Sequence, residues 1–233
     1  SAAKIILAVM IVVSLAVSCA FMAAKSGYHE DELLTYHLAN SSTEPGVNAD
    51  WNTAEVFNDY LTAGAHRFDY QQGYQNQVID ASHPPLYYAM VHTVCSFFPH
   101  VFSRWLAFSV NAVMLAGALV LLFHIGKRVT GSDLYALIGT GAYALSIAFV
   151  TTAIYLRMYA SLTFWVLLFL FLTLRLYDQQ GAVKLTAGIP VLITVALGTL
   201  TQYYFILCAG LTGLVFLDDS RSEERFSRNA ETD

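Results

Sequence analysis

Long uncharged runs alternate with short polar stretches along this chain, and each run is close to the length that crosses a bilayer. A hydrocarbon core about 30 Å thick takes roughly 20 apolar residues per helix. By that measure Ile5 to Ala24, Trp105 to Ile125, Leu134 to Ile154, Met158 to Leu174, Leu185 to Leu200 and Tyr203 to Leu217 are candidate spans, the last three shorter than the others. Pro84 to Phe98 is also apolar and opens on two prolines suited to a helix's first turn, but it is too short to cross. It reads as an interfacial or re-entrant helix with Tyr87 and Tyr88 near the headgroups. The predicted fold is therefore all-α: a polytopic membrane helix bundle of about six spans plus that re-entrant or interfacial helix.

The spans divide the chain into a first transmembrane helix (1–24), an external loop (25–102), a transmembrane bundle (103–217) and a polar cytoplasmic tail (218–233). Loops beyond about 12 to 15 residues are usually functional or disordered. This one carries Trp51, Phe57, Tyr60, Phe68, Tyr70 and Tyr74, a content that argues against disorder. Asp31 to Asn40 and Thr53 to Ala63 read as short juxtamembrane helices, the second with Val56, Tyr60 and Leu61 as a weak apolar stripe for the membrane surface. The tail from Ser220 to Asp233 is too polar to fold by itself.

Composition agrees: 56% of the 233 residues are hydrophobic, 12% are charged and the mean hydropathy is +0.52, values no soluble domain of this size needs. The net charge of -5 says little about partners, since the acids lie outside the spans, and nucleic acid is not expected as a partner. Cys19, Cys95 and Cys208 form no metal-type pattern and read as small buried hydrophobes. The first run reads as an uncleaved anchor rather than a signal peptide, and Ala16, three places before Cys19, argues against a lipoprotein. Lys4, Lys127, Arg128, Arg175, Lys184, Arg221, Arg225 and Arg228 fall on one side of the six-span arrangement, which the positive-inside rule makes cytoplasmic. The stretch from Lys25 to Arg104, the turn Tyr155 to Arg157 and the turn at Thr201 and Gln202 are then extracytoplasmic.

Those outer segments hold the candidate chemistry. His29-Glu30-Asp31-Glu32 sets three carboxylates just beyond the first span. Acids there serve a helix N-terminus electrostatically; alternatively one acts as a general base on an acceptor hydroxyl, with partial burial bringing its pKa toward the working pH. An HExxH zinc site fails because its second His would stand at Leu33, while a divalent cation among Glu30, Asp31 and Glu32 stays open. Asp80-Ala81-Ser82-His83-Pro84-Pro85 holds Asp80 and His83 at the mouth of the short helix, as a loop or as part of a site. Arg157, with Tyr159 beside it, either anchors a span at the interface or holds a lipid phosphate with its planar fork. Gln202 and Tyr203 form a polar, aromatic outer turn. The topology puts all four segments on one face.

In order and spacing these segments resemble the N-terminal half of a GT-C superfamily glycosyltransferase, of the bacterial branch related to protein O-mannosyltransferases and aminoarabinose transferases. The resemblance runs from the first span to about Leu217. Its marks are Asp31-Glu32 in HEDELLTYHLANS, HPPLYY from His83 to Tyr88, RMY from Arg157 to Tyr159, and TQYYF from Thr201 to Phe205. It implies a polyprenyl-phosphate-linked sugar as donor, an envelope lipid, polymer or protein hydroxyl as acceptor, no nucleotide sugar, and a multi-pass plasma-membrane location. It also implies that Asp31 is the catalytic base, that Glu32 supports it, that Arg157 stabilises the leaving phosphate, and that His83 holds the loop or touches the donor. Gln202 stands where many relatives have His, so no proton or metal role is carried to it. Relatives are longer, so the chain is expected to be part of a larger protein. The rival reading from the residues is a non-catalytic multi-pass transporter or lipid-binding subunit.

Overall fold

The computed structural model describes residues 2–41, 52–64, 66–177 and 185–215, and among these every regular element is helical. In chain order they are α1 (Ala2–Ala24), α2 (Glu30–Asn40), α3 (Ala54–Leu61), α4 (Tyr70–Asp80), α5 (Leu86–Phe97), α6 (Arg104–Thr130), α7 (Asp133–Ala144), α8 (Ile147–Ile154), α9 (Tyr159–Tyr177) and α10 (Leu185–Thr201). A further apolar helix covers Phe205–Val215. Trp51, Lys184, Leu217 and the predicted tail with Arg221, Arg225 and Arg228 lie outside the described residues.

Three helices, α1, α6 and α9, are long and apolar enough to cross a membrane, and α7 with α8 makes a fourth candidate bent by 55°. By length and composition these helices are compatible with a membrane protein. The six-span count is not confirmed: among the described residues the apolar part of α10, Gly188–Thr201, and Phe205–Val215 fall in the shorter class. The α7–α8 break has a local cause. Ser146 leaves the helical conformation and its Oγ accepts the Phe149 N–H at 3.1 Å, capping a new helix. Within α1, Ser14 and Ser18 return their hydroxyls to the carbonyls of Ile11 (3.0 Å) and Ser14 (2.9 Å), which satisfies them where no water is at hand.

At the centre stands α6, packed on α1, α5, α7, α8 and α9. The α6–α9 approach is close because Gly117 faces Phe164, whose ring lies 2.8 Å from where a Cβ would be. At one end of the bundle Ala3, Leu7, Phe123, Ala136 and Leu137 form a small apolar cluster, and Arg128 donates to the Leu174 carbonyl at 3.0 Å. At the other end Arg104 donates to the carbonyls of Met22 and Lys25, and Lys25 donates to the Ile154 carbonyl at 3.0 Å. Hence α1 and α7–α8 run one way and α6 and α9 the other, and Lys4, Lys127, Arg128 and Arg175 belong to the first end.

Helices α2 to α5 cover the second end. Both predicted loop helices form, as α2 and α3, but α4 was not anticipated. Its sequence, YQQGYQNQVID, has no apolar period because its inward residues are polar. Asn76 and Gln77 are buried and donate to the carbonyls of Ser41 (2.9 Å) and Leu38 (3.0 Å), closing carbonyls that the end of α2 leaves open. Tyr87 and Tyr88, expected among headgroups, are 0% and 1% exposed. The reason is tertiary: α5 is covered by α2, α4, α6 and α10, and Tyr87 donates to Asn111 at 3.1 Å, whose amide in turn holds the Ala153 and Tyr155 carbonyls. Tyr36 fastens α2 to the start of α6, donating to the Ser103 carbonyl at 2.7 Å and accepting the Ala107 N–H at 3.2 Å.

Candidate functional site

The site grows from the first turn of α2. His29 caps it through Nδ1, which accepts the Asp31 N–H at 3.1 Å, and Glu32 accepts the His29 N–H at 2.8 Å, a reciprocal capping box. Successive residues on a helix point about 100° apart, so the three acids part company. Glu30 is exposed, Glu32 is 0% exposed, and Asp31 lies between, with 43% of its side chain exposed. The cation site left open by the sequence is not formed here: among the described residues no three His, Cys, Asp or Glu side chains converge as metal ligands.

Glu32 turns into the fold. Its carboxylate takes the Lys25 ammonium, the Leu156 N–H at 2.9 Å and the His29 N–H, so it ties the end of α1, the cap of α2 and the α8–α9 turn together. It holds these three segments in place at the first turn of α2.

Asp31 meets the α8–α9 turn. Its Oδ2 accepts the Tyr155 hydroxyl at 2.6 Å, and its carbonyl accepts Nη1 of Arg157 at 3.1 Å. The Tyr155 hydrogen bond holds the Asp31 carboxyl below its ordinary value, against a smaller opposing effect of burial and with help from Arg157, His29 and His83. This reverses the upward shift expected from partial burial, because the hydrogen bond outweighs desolvation at a half-exposed group. Tyr155 is pushed up to about 12 by burial first and by its bond to Asp31 second, so it stays a donor.

Arg157 is only 4% exposed, which excludes the role of interfacial anchor. Besides the Asp31 carbonyl it reaches the Thr35 hydroxyl at 3.5 Å and His83 Nε2 at 2.7 Å. An arginine N–H can only donate, so His83 must accept at Nε2 and carry its proton on Nδ1. That nitrogen stands 2.8 Å from Asp80 Oδ2, which completes a relay from Asp80 through His83 to Arg157. Asp80 Oδ2 also accepts the Ser82 and His83 N–H groups at 3.0 and 2.8 Å, a local turn that holds Ala81 at φ 54. Among the described residues none of the Arg157 partners is a carboxylate, and its Nε has no partner. A buried guanidinium without a direct ion pair is costly to keep and suits a site that receives an anion.

Tyr159 is 43% exposed and stacks on Tyr155, ring centroids 5.9 Å apart at 10°. Asp31, Arg157, His83, Asp80 and Tyr159 thus come together, from three segments distant in sequence. Gln202 and Tyr203 do not join them by any hydrogen bond or ring contact among the described residues. Tyr203 is 51% exposed, and the turn instead seats Phe205 over Gly198 and against Phe169. Sequence reasoning missed Tyr155, Thr35 and Lys25 as members. Tyr155 had a signal, an aromatic at a helix end directly before the Leu-Arg-Met-Tyr stretch; the other two had none.

Comparison of the chain with known protein families, with curated proteins and with solved structures finds no match.

Proposed function

We propose that this chain is an integral membrane glycosyltransferase that moves a sugar from a polyprenyl-phosphate donor to a hydroxyl acceptor at the extracytoplasmic face, with inversion. The observation that carries the reading is the meeting of an ionised, half-exposed Asp31 with a buried Arg157 that lacks a carboxylate partner, at the end of a membrane bundle away from Lys127, Arg128 and Arg175. The acceptor oxygen attacks the anomeric carbon, its proton passes to the Asp31 carboxylate, and the bond from that carbon to the phosphate oxygen breaks with its electron pair leaving on phosphate. Arg157 supplies positive potential where that charge grows, and Tyr155, stacked on Tyr159, stands beside the same carboxylate. The relay through His83 to Asp80 fixes the guanidinium. The resemblance of HEDELLTYHLANS, HPPLYY and RMY to glycosyltransferase motifs supports the same assignment.

A transporter would carry its ionisable groups at mid-membrane, whereas here they gather beyond the helix ends. Asp31→Asn is the direct test: transfer falls by about 10²- to 10⁴-fold while expression and membrane insertion persist. Mass spectrometry of envelope glycans from cells carrying the full-length gene or this variant reads it, and unchanged glycans would refute the mechanism.

A further inference from the structure

Helix α4 is built inside out. Its inner half carries Gln72, Asn76 and Gln77, the last two 3% and 4% exposed. Its four large apolar side chains, Tyr70, Tyr74, Val78 and Ile79, fall on the opposite half and are 47% to 62% exposed. A helix packed on a protein in water turns its apolar side in. Single exposed apolar residues are common on any protein, but here all four share one half of the helix, accompanied only by Gln71 and Gln75. The inner polar groups are answered by carbonyls of α2. The outward face therefore calls for apolar surroundings of another kind.

Its depth follows from its neighbours. Helix α5 joins α6 through residues 98–103 and runs back along it, since Tyr87, near the start of α5, donates to Asn111, about two turns into α6. In turn α4 runs back along α5. Phe68, just before α4, meets Phe97 at the end of α5 with ring centroids 5.3 Å apart, the Tyr70 and Thr93 hydroxyls are 3.0 Å apart, and Asp80 at the far end of α4 meets His83 ahead of α5. So α4 flanks the first two turns of α6. With 27 residues α6 is about 40 Å long, against about 30 Å of hydrocarbon. Those two turns therefore cover the headgroup layer and the upper acyl chains, and the exposed Trp105 marks the same level. We propose that the outward half of α4 is a membrane-docking surface, seated in the bilayer leaflet on the side of the site. Asp80 is its last residue, so the seat sets the depth of the Asp80–His83–Arg157 relay. With no Lys or Arg on the helix, seating comes from apolar burial and interfacial tyrosines rather than from anionic headgroups, and a zwitterionic bilayer suffices. The proposal rests on the candidate spans and not on sugar transfer.

Spin labels on the full chain in phosphatidylcholine nanodiscs test this, with Cys19, Cys95 and Cys208 replaced by alanine. Labels at Tyr74→Cys and Val78→Cys are expected to collide with oxygen more often than with a water-soluble nickel chelate, as is a label at Val113→Cys on the exposed side of α6. A label at the exposed Glu30→Cys shows the reverse preference. Nickel access at 74 and 78 equal to that at 30, with 113 in lipid, puts the face in water and overturns the proposal while the spans stand. Exclusion of both reagents from 74 and 78 means that protein covers the face, either residues 42–51 or a second copy of the chain, and overturns it too. Nickel access at 113 as well removes the spans and the docking together. A second measurement keeps the native cysteines: Tyr74→Trp in bilayers of brominated phosphatidylcholine is expected to add a quenched component to the emission of Trp51, Trp105 and Trp165. An added component that bromine leaves unquenched would equally overturn the docking.

Discussion

The two ends of the bundle treat charge in opposite ways. At the end formed by the start of α1 and the close of α6, charged groups stay in solvent: Lys127 and Asp133 pair at 2.8 Å with side chains 53% and 41% exposed, over an apolar cluster. At the end covered by α2 to α5, Glu32 and Arg157 are buried at 0% and 4%, each held by several partners from separate segments. Burying charge is not a route to stability, since desolvation offsets most of the attraction. Within that end the two differ again. Glu32 has its carboxylate oxygens fully engaged and serves the architecture, while Arg157 keeps an unpartnered Nε and borders an exposed carboxylate.

Substitutions at the two ends test this contrast. Glu32→Ala has the largest expected effect on the fold: it strands the Lys25 ammonium and the Leu156 N–H, at a cost of about 3 to 5 kcal/mol, seen as a lower melting temperature in detergent. An unshifted melt would mean that the tie is ornamental. Arg157→Lys keeps the charge but loses the fork that spans the Asp31 carbonyl and His83. Transfer by full-length protein in membranes is expected to drop about 10²-fold, with the melt little changed; equal activity would remove Arg157 from the chemistry.

Tyr155→Phe sharpens the picture of Asp31. In the wild type the Tyr155 hydrogen bond depresses the Asp31 pKa, so the carboxylate form persists to lower pH, and activity is lost only as pH falls through that depressed value. Removing the hydroxyl raises the Asp31 pKa, so the acid limb of kcat/KM moves to higher pH. The same sign applies to folding: the contribution of Asp31 is present above its unfolded-state pKa and fades on acidification, a small effect for a half-exposed group. A limb that stays in place or moves to lower pH would contradict the assignment of Asp31 as base. The smallest effect belongs to the other end: Lys127→Ala should change stability by no more than about 1 kcal/mol and leave transfer untouched.

Much of the architecture is written locally. The runs without charge determine α1, α6 and α9, since an unbroken apolar stretch of that length has one stable form in a bilayer. His29 with Glu32, three residues apart, determines the start of α2 by capping alone. Asp80 with Ser82 and His83 determines the turn before α5, because every contact involved lies within a few residues. The sequence likewise contained Asp31, His83 and Arg157 as three polar points in apolar surroundings.

Only the tertiary structure decided what each point does. Neighbouring acids with the same local signature separate into an exposed Glu30, a half-exposed Asp31 and a buried Glu32 because the α8–α9 turn, more than a hundred residues away in the chain, presents a hydroxyl to one and an N–H to another. The polar helix α4 and the burial of Tyr87 escaped a reading by hydrophobic period for the same reason. Their partners are carbonyls and amides of distant segments, and a one-dimensional pattern records the polarity of a residue but not the group that will satisfy it.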